Sequence, residues 1–234
     1  MLAPAKLTIS LRVTGRLPDG YHTVDAEMAA IDLADELSFA PGDGLEVVGR
    51  FARGVPTGET NLVARALVAA GRTSQVRLDK RIPAGAGLGG GSADAAAALR
   101  WAGCTDVAVA ALVGADVPFC LIGGRARVTG MGEAVETLGY EERVFTLMLA
   151  PFGMETAAVY AAWDDLGGPT GAGSNDLEPA ALAVNPELAP WRDRLGEVTG
   201  LTPSLAGSGS TWFVPGAYPD EGLTVVRTVP PQGP

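Results

Sequence analysis

The chain has 234 residues, of which 47% are apolar and 19% charged, and its formal net charge is −10. That length suits one large or two modest globular domains with a sizeable core, and the composition excludes an intrinsically disordered chain. The acidic balance argues against a nucleic-acid-coating surface or an anionic-membrane binder, so any phosphate it holds needs locally concentrated positive potential.

At the start of the chain, MLAPAKLTISLRV lacks the pattern of a signal peptide. Leu7, Ile9, Leu11 and Val13 alternate there with Lys6, Thr8, Ser10 and Arg12, which predicts a half-buried strand. A turn at Leu17-Pro-Asp-Gly20 precedes Tyr21 and His22, the single histidine. Residues 31–40 and 45–48 read as short strands joined by a Pro-Gly-Asp-Gly turn. A helix over 61–70 ends at Gly71, and a strand over 75–80 closes on Lys80, which with Lys6 makes up the lysines of the chain.

Five glycines then fall within Gly85 to Gly91 and run into an alanine-rich helix over 93–101, with Ser92 or Asp94 expected to open its first turn. A glycine loop that delivers N–H groups to a helix N-terminus is an anion site, and phosphate is the usual anion. The loop has no G-K-[ST], so it is not the common P-loop. Gly85-x-Gly87-x-x-Gly90 does match the dinucleotide fingerprint, which requires a second strand and an acidic residue about 20 positions on. Asp106 suits by distance but precedes a helical-looking stretch, 107–113.

Further on, 126–128 and 134–138 look extended, and a boundary near 139–143 divides the chain into expected domains 1–141 and 142–234. The second half offers a strand over 144–150, a helix over 156–164, a loop over 167–174 and a helix over 177–183. A second glycine–serine loop at 206–210 leads to strands over 212–214 and 223–229, with a disordered tail expected at 230–234. Cys104 and Cys120 have neither metal-ligand spacing nor a disulfide framework, and Asp164-Asp165 reads as a solvated pair at a helix end. No apolar run approaches the roughly 18 residues of a membrane span. A cytoplasmic protein is expected.

Several separated stretches resemble one family. Residues 83–98 resemble the ATP-phosphate loop of the GHMP small-molecule kinases, and Gly207-Ser-Gly-Ser-Thr211 their C-terminal glycine motif. PAKLTISLRVTGRLPDGYH, Gly114-Ala-Asp-Val-Pro-Phe119, Gly130-Met-Gly-Glu133 and Ser174-Asn-Asp-Leu-Glu178 are similar to the branch acting on a cytidine-diphosphate-bearing intermediate of the non-mevalonate isoprenoid pathway. The likeness runs from residue 4 to about 214.

The resemblance implies an α+β, two-lobed GHMP kinase fold. Its N-terminal lobe would be ribosomal-protein-S5-domain-2-like and its C-terminal lobe a shortened ferredoxin-like unit. It implies an ATP-dependent kinase using Mg²⁺, a small substrate carrying a cytidine diphosphate, no nucleic-acid or membrane partner, and a monomer or weak homodimer. By the same resemblance Asp116 is the catalytic base and Lys6 its partner. Pro83, Ala84, Gly85, Ala86, Gly87, Leu88, Gly89, Gly90, Gly91, Ser92 and Ala93 would hold ATP, with Asn61 near the adenosine. Tyr21 and Tyr160 would sandwich the cytosine, His22 would fix its edge, and Thr8 and Thr156 would contact substrate. Thr8 departs from the family's usual asparagine, Ala93 from a second serine, the connection over 138–144 is short, and PGAYPDEG replaces a C-terminal helix. Remaining alternatives are a GHMP kinase for another alcohol, a catalytically inert nucleotide binder, and a nicotinamide-dependent oxidoreductase.

Overall fold

The structure, a computed structural model, describes residues 1–170 and 173–231. Its spine is a long antiparallel pair, β1 (Leu2–Arg16) and β2 (His22–Ala40), joined by the Pro-Asp-Gly turn. β2 begins nine residues earlier than the sequence pattern suggested, because Val24, Ala26 and Met28 carry the inward face with small or flexible side chains. β4 (Gln75–Asp79) and β5 (Arg125–Gly130) also pair antiparallel with β2, β6 (Ala134–Leu138) pairs with β5, and β3 (Gly44–Val48) runs parallel to β4. The turn after β2 therefore makes no hairpin, since β4 lies between β2 and β3.

Helices α1 (Leu62–Ala69), α2 (Gly90–Trp101), α3 (Val107–Val113) and α4 (Val117–Ile122) pack together, with α2 in contact with β1 and β2. Ala95, Ala96, Ala97, Ala98 and Leu99 of α2 are all fully buried, which identifies a core helix whose short side chains permit close approach to its neighbours. Its N-cap is Gly89, in the left-handed region at φ 65°, so neither Ser92 nor Asp94 opens the helix as expected. α4 escaped the sequence pattern because it is a single short helix with Pro118 in its first turn.

The second sheet has the order β10-β7-β9-β8, with β7 (Val144–Met148) between β10 (Leu223–Arg227) and β9 (Trp212–Pro215), and β8 (Ser204–Leu205) on β9. Three helices belong to this half: α5 (Thr156–Asp165), α6 (Glu178–Val184) and α7 (Leu188–Thr199). α7 was not foreseen. Its buried Leu188 and Leu195 are separated by a charged run, and Pro190 stands in its first turn, where a missing N–H costs nothing. No helix intervenes between β9 and β10, as the PGAYPDEG segment implied. Pro231 packs against Gly124. The remainder of the expected tail, 232–234, and residues 171 and 172 of the expected loop lie outside the described residues.

The two sheets share a core. Ala5, Leu7 and Ile31 from the first meet Phe145, Leu147, Phe213 and Val226 from the second, together with Ile82, Ala86 and Leu88 of the glycine-loop segment.

Candidate active site

Strand geometry sends alternate side chains to opposite faces. While Leu7 points into the shared core, Lys6 and Thr8 point into a cleft of about 1020 Å³. Lys6 is only 5% exposed, and a lysine so buried needs a partner for its charge. Its Nζ donates to Thr8 Oγ1 at 2.9 Å and stands 3.5 Å from Asp116 Oδ2. Asp116 occupies the N-cap position of α4 without making a capping hydrogen bond, and its side chain remains 32% exposed to the cleft. Gly207 closes this corner, since a Cβ there would lie 3.3 Å from Lys6 Nζ.

The glycine loop forms the adjoining wall. A Cβ on Gly87, where φ is 77°, would fall 2.1 Å from the carbonyl oxygen of Ala206, and one on Gly89 would fall 2.7 Å from Lys6 Cγ. The loop's outer side is bonded to the second half of the chain, with Met154 N–H donating to the Gly85 carbonyl at 2.8 Å and Thr211 N–H to the Ala86 carbonyl at 3.2 Å. Gly90, Gly91 and Ser92 bring the first turn of α2 to the cleft, where its N–H groups and the positive end of the helix face any bound anion. Leu88 and Ala93 are not on this wall. Both side chains are buried in the core, and Leu88 contributes through its carbonyl, which accepts from Lys6 N–H at 3.0 Å.

Beneath the helix start lies a buried cluster that sequence reasoning missed. Lys80 Nζ is paired with Asp35 and, at 2.7 Å, with Asp94 Oδ2. Asp35 also accepts from the N–H groups of Arg81 and Ile82 at 2.5 and 2.8 Å. Burial pushes the Asp94 carboxyl up to about 7 against the pull of Lys80, with Asp35 adding to the rise. Asp94 Oδ1 has no hydrogen-bond partner among the described residues. The raised value means that near neutral pH Asp94 carries less negative charge than an ordinary carboxylate, beneath the helix start where a phosphate would sit. The rarity of lysine was the available signal; the approach of Asp35 from β2 was not visible in sequence.

At the far end, α5 presents Thr156, Tyr160 and Asp164 to the cleft at spacings of four, one face of a helix. The His22 ring stacks on Tyr160 with centroids 4.8 Å apart, and Trp163 meets it edge-on at 5.6 Å. His22 Nε2 lies 2.8 Å from Asp164 Oδ1, and Arg16 Nη1 lies 3.2 Å from Asp164 Oδ2. Asp164 is therefore part of the site, contrary to its reading as solvated; its spacing from Tyr160 was the overlooked signal. Burial, reinforced by the charge of Asp116, pushes the Tyr160 hydroxyl up to about 12, so it stays protonated. Tyr21 stands 65% exposed at the rim. Thr156 Oγ1 is 3.0 Å from Ser208 Oγ, which places the second glycine loop in the same wall.

Asn61 lines the cleft, yet its amide is occupied as the cap of α1: Oδ1 accepts from Val63 N–H at 2.8 Å and Nδ2 donates to the Pro56 carbonyl at 2.7 Å. Asn175 has a comparable framework part, with Nδ2 donating to the carbonyls of Leu205 and Gly207 at 2.8 and 2.7 Å. Asp106 caps α3, accepting from Ala108 N–H at 2.8 Å. A helix thus follows where the dinucleotide fingerprint requires a strand.

Residues 60–124 match the family model described as GHMP kinases N terminal domain. The 4-diphosphocytidyl-2-C-methyl-D-erythritol kinase of Paracoccus denitrificans is 37% identical over 231 residues, covering 90% of this chain and 84% of that protein. The protein of the same name from Pelotomaculum thermopropionicum is 39% identical over 254 residues, covering 91% and 87%. A crystal structure of 4-(cytidine 5'-diphospho)-2C-methyl-D-erythritol kinase superposes with a TM-score of 0.74 at 31% identity, over 97% of this chain and 98% of that one. Likeness of this extent reaches past the phosphate loop to both sheets, and the chain belongs to the 4-diphosphocytidyl-2-C-methyl-D-erythritol kinase family of GHMP kinases.

Proposed function

We propose that the chain transfers the γ-phosphoryl group of ATP to the C2 hydroxyl of 4-diphosphocytidyl-2-C-methyl-D-erythritol, in the non-mevalonate route to isoprenoid precursors. The observation that carries this reading is the Lys6–Asp116 pair, 3.5 Å apart at the foot of a glycine loop that opens a helix. Asp116 accepts the hydroxyl proton as the oxygen bonds to the γ-phosphorus and the bond to the bridging oxygen of ADP breaks. Lys6 stands beside the Asp116 carboxylate and offsets charge on the transferred group, while Thr8 fixes the Lys6 ammonium. ATP use accompanies membership of the GHMP kinases. The cradle around Gly85 to Ser92 suits its phosphates, with Asn61 shaping the adenosine end through the backbone it holds.

Mg²⁺ would arrive on the nucleotide phosphates and keep several of its waters. Tyr21, His22 and Tyr160 form the cytosine end, with Thr156 beside them. Residues 1–141 and 142–234 act as the two lobes, and the enzyme works in the cytoplasm as a monomer or weak homodimer. No helix is long and apolar enough to cross a membrane among the described residues.

A coupled ADP-release assay with the cytidine substrate tests the proposal. Turnover is expected, and none from correctly folded protein would refute it. A GHMP kinase for a different alcohol would be insensitive to free cytidine nucleotides, whereas this reading has them compete with substrate, and Tyr21→Ala weaken that competition.

A further inference from the structure

Asp164 occupies a place that helix stability does not recommend. It lies in the last turn of α5, where the helix dipole favours a cation, and that turn contains no basic residue. Both of its oxygens are nevertheless committed: Oδ1 to His22 Nε2 at 2.8 Å, and Oδ2 to Arg16 Nη1 at 3.2 Å. A carboxylate can only accept, so Nε2 carries the hydrogen. Arg16 places a positive charge beside the other oxygen of the carboxylate. The ring is held by its stack on Tyr160 and by the edge of Trp163, and its Nδ1 makes no hydrogen bond to any described residue.

We propose that Asp164 is a positioning residue for base selection, fixing His22 as the tautomer whose Nδ1 accepts an exocyclic amino group and rejects a carbonyl. Cytosine carries an amino group where uracil carries a carbonyl oxygen, so one fixed lone pair separates the two. A site built to receive a donor discriminates strongly against a ligand that brings an acceptor. The inference rests on the cytidine reading above, and it assigns Asp164 no contact with the reacting atoms.

Because His22 is the single histidine, ¹⁵N-imidazole labelling yields one pair of ring-nitrogen signals and reports the tautomer without any substrate. Wild type should show Nε2–H as the major form. Asp164→Ala should give a tautomer mixture, raise KM for the cytidine substrate about tenfold and narrow its preference over the uridine analogue. KM for ATP and kcat should change little. Asp164→Asn keeps one acceptor oxygen, which Arg16 takes, and turns its amide N–H toward Nε2, so it should shift the ring to the opposite tautomer and raise KM for the cytidine substrate at least as much as Asp164→Ala. An unchanged tautomer in Asp164→Ala, or equal losses with cytidine and uridine substrates, would overturn the proposal. Failure of wild type to turn over the cytidine substrate would remove the functional reading and base selection with it, while the tautomer comparison would still decide whether Asp164 sets His22.

Discussion

At the reacting centre, the near burial of Lys6 means that its charge is answered within the protein, chiefly by Asp116. Asp116→Asn should therefore lower kcat by roughly 10²–10⁴-fold, the worth of a positioned base, while ATP affinity, read by titration, stays close to wild type. Full retention of turnover would disprove the base assignment. Asp94 makes a different prediction. Folding raises its carboxyl to about 7 from an ordinary 3.8, so the folded chain keeps a proton that the unfolded chain releases. Stability from this source is complete below about pH 4 and is lost as pH rises through about 7. Asp94→Asn cannot titrate, and its Tm should fall by a few degrees less than that of wild type between about pH 5 and pH 8. Equal falls would mean that Asp94 ionises normally. The residues legible in sequence were those with a motif around them, Lys6 and Asp116 among them. Asp35 of β2, Asp94 of α2 and Lys80, just after β4, form one cluster from separated parts of the chain, and Asp164 gains its meaning from a histidine 142 positions away.

Among the elements, the glycine loop divides into positions that tolerate a side chain and positions that do not. Gly87→Ala places a Cβ against the Ala206 carbonyl at positive φ, which should cost at least about 1–3 kcal/mol and weaken ATP binding by displacing the loop. Gly91→Ala meets only Leu62 Cδ1 at 3.6 Å within α2, so its Tm should match or exceed that of wild type. Thermal melts of the pair settle the contrast; equal destabilisation would show that the loop is not braced at Gly87. The sequence pattern located β1, α1, β4 and the loop because each has strong alternation, a cap or a glycine run. It missed α7, whose two buried leucines are diluted by charge, and the first nine residues of β2, whose inward residues are too small or flexible to announce a strand. The start of α2 was misplaced because Gly89, not a polar side chain, turns the backbone into the helix.

Across the whole molecule, the cluster formed by Leu7, Ile31, Phe145, Phe213 and Val226 leaves neither sheet with a complete core of its own. Thr228 N–H donates to the carbonyl of Arg143, just before β7, and Val229 N–H to the carbonyl of Ala30 in β2, so the segment after β10 ties the two sheets together. Urea unfolding should accordingly be a single transition, with tryptophan fluorescence and far-UV circular dichroism superimposing. Two separated transitions would show that the halves are independent. The bracing of the glycine loop also reaches into the order of synthesis. Its outer carbonyls are capped by Met154 and Thr211, so a nascent chain that has exposed only its first 140 or so residues holds the ATP loop's entire sequence without the bonds that shape it. Nucleotide, which stabilises only what it can bind, can assist folding only once Thr211 has left the ribosome.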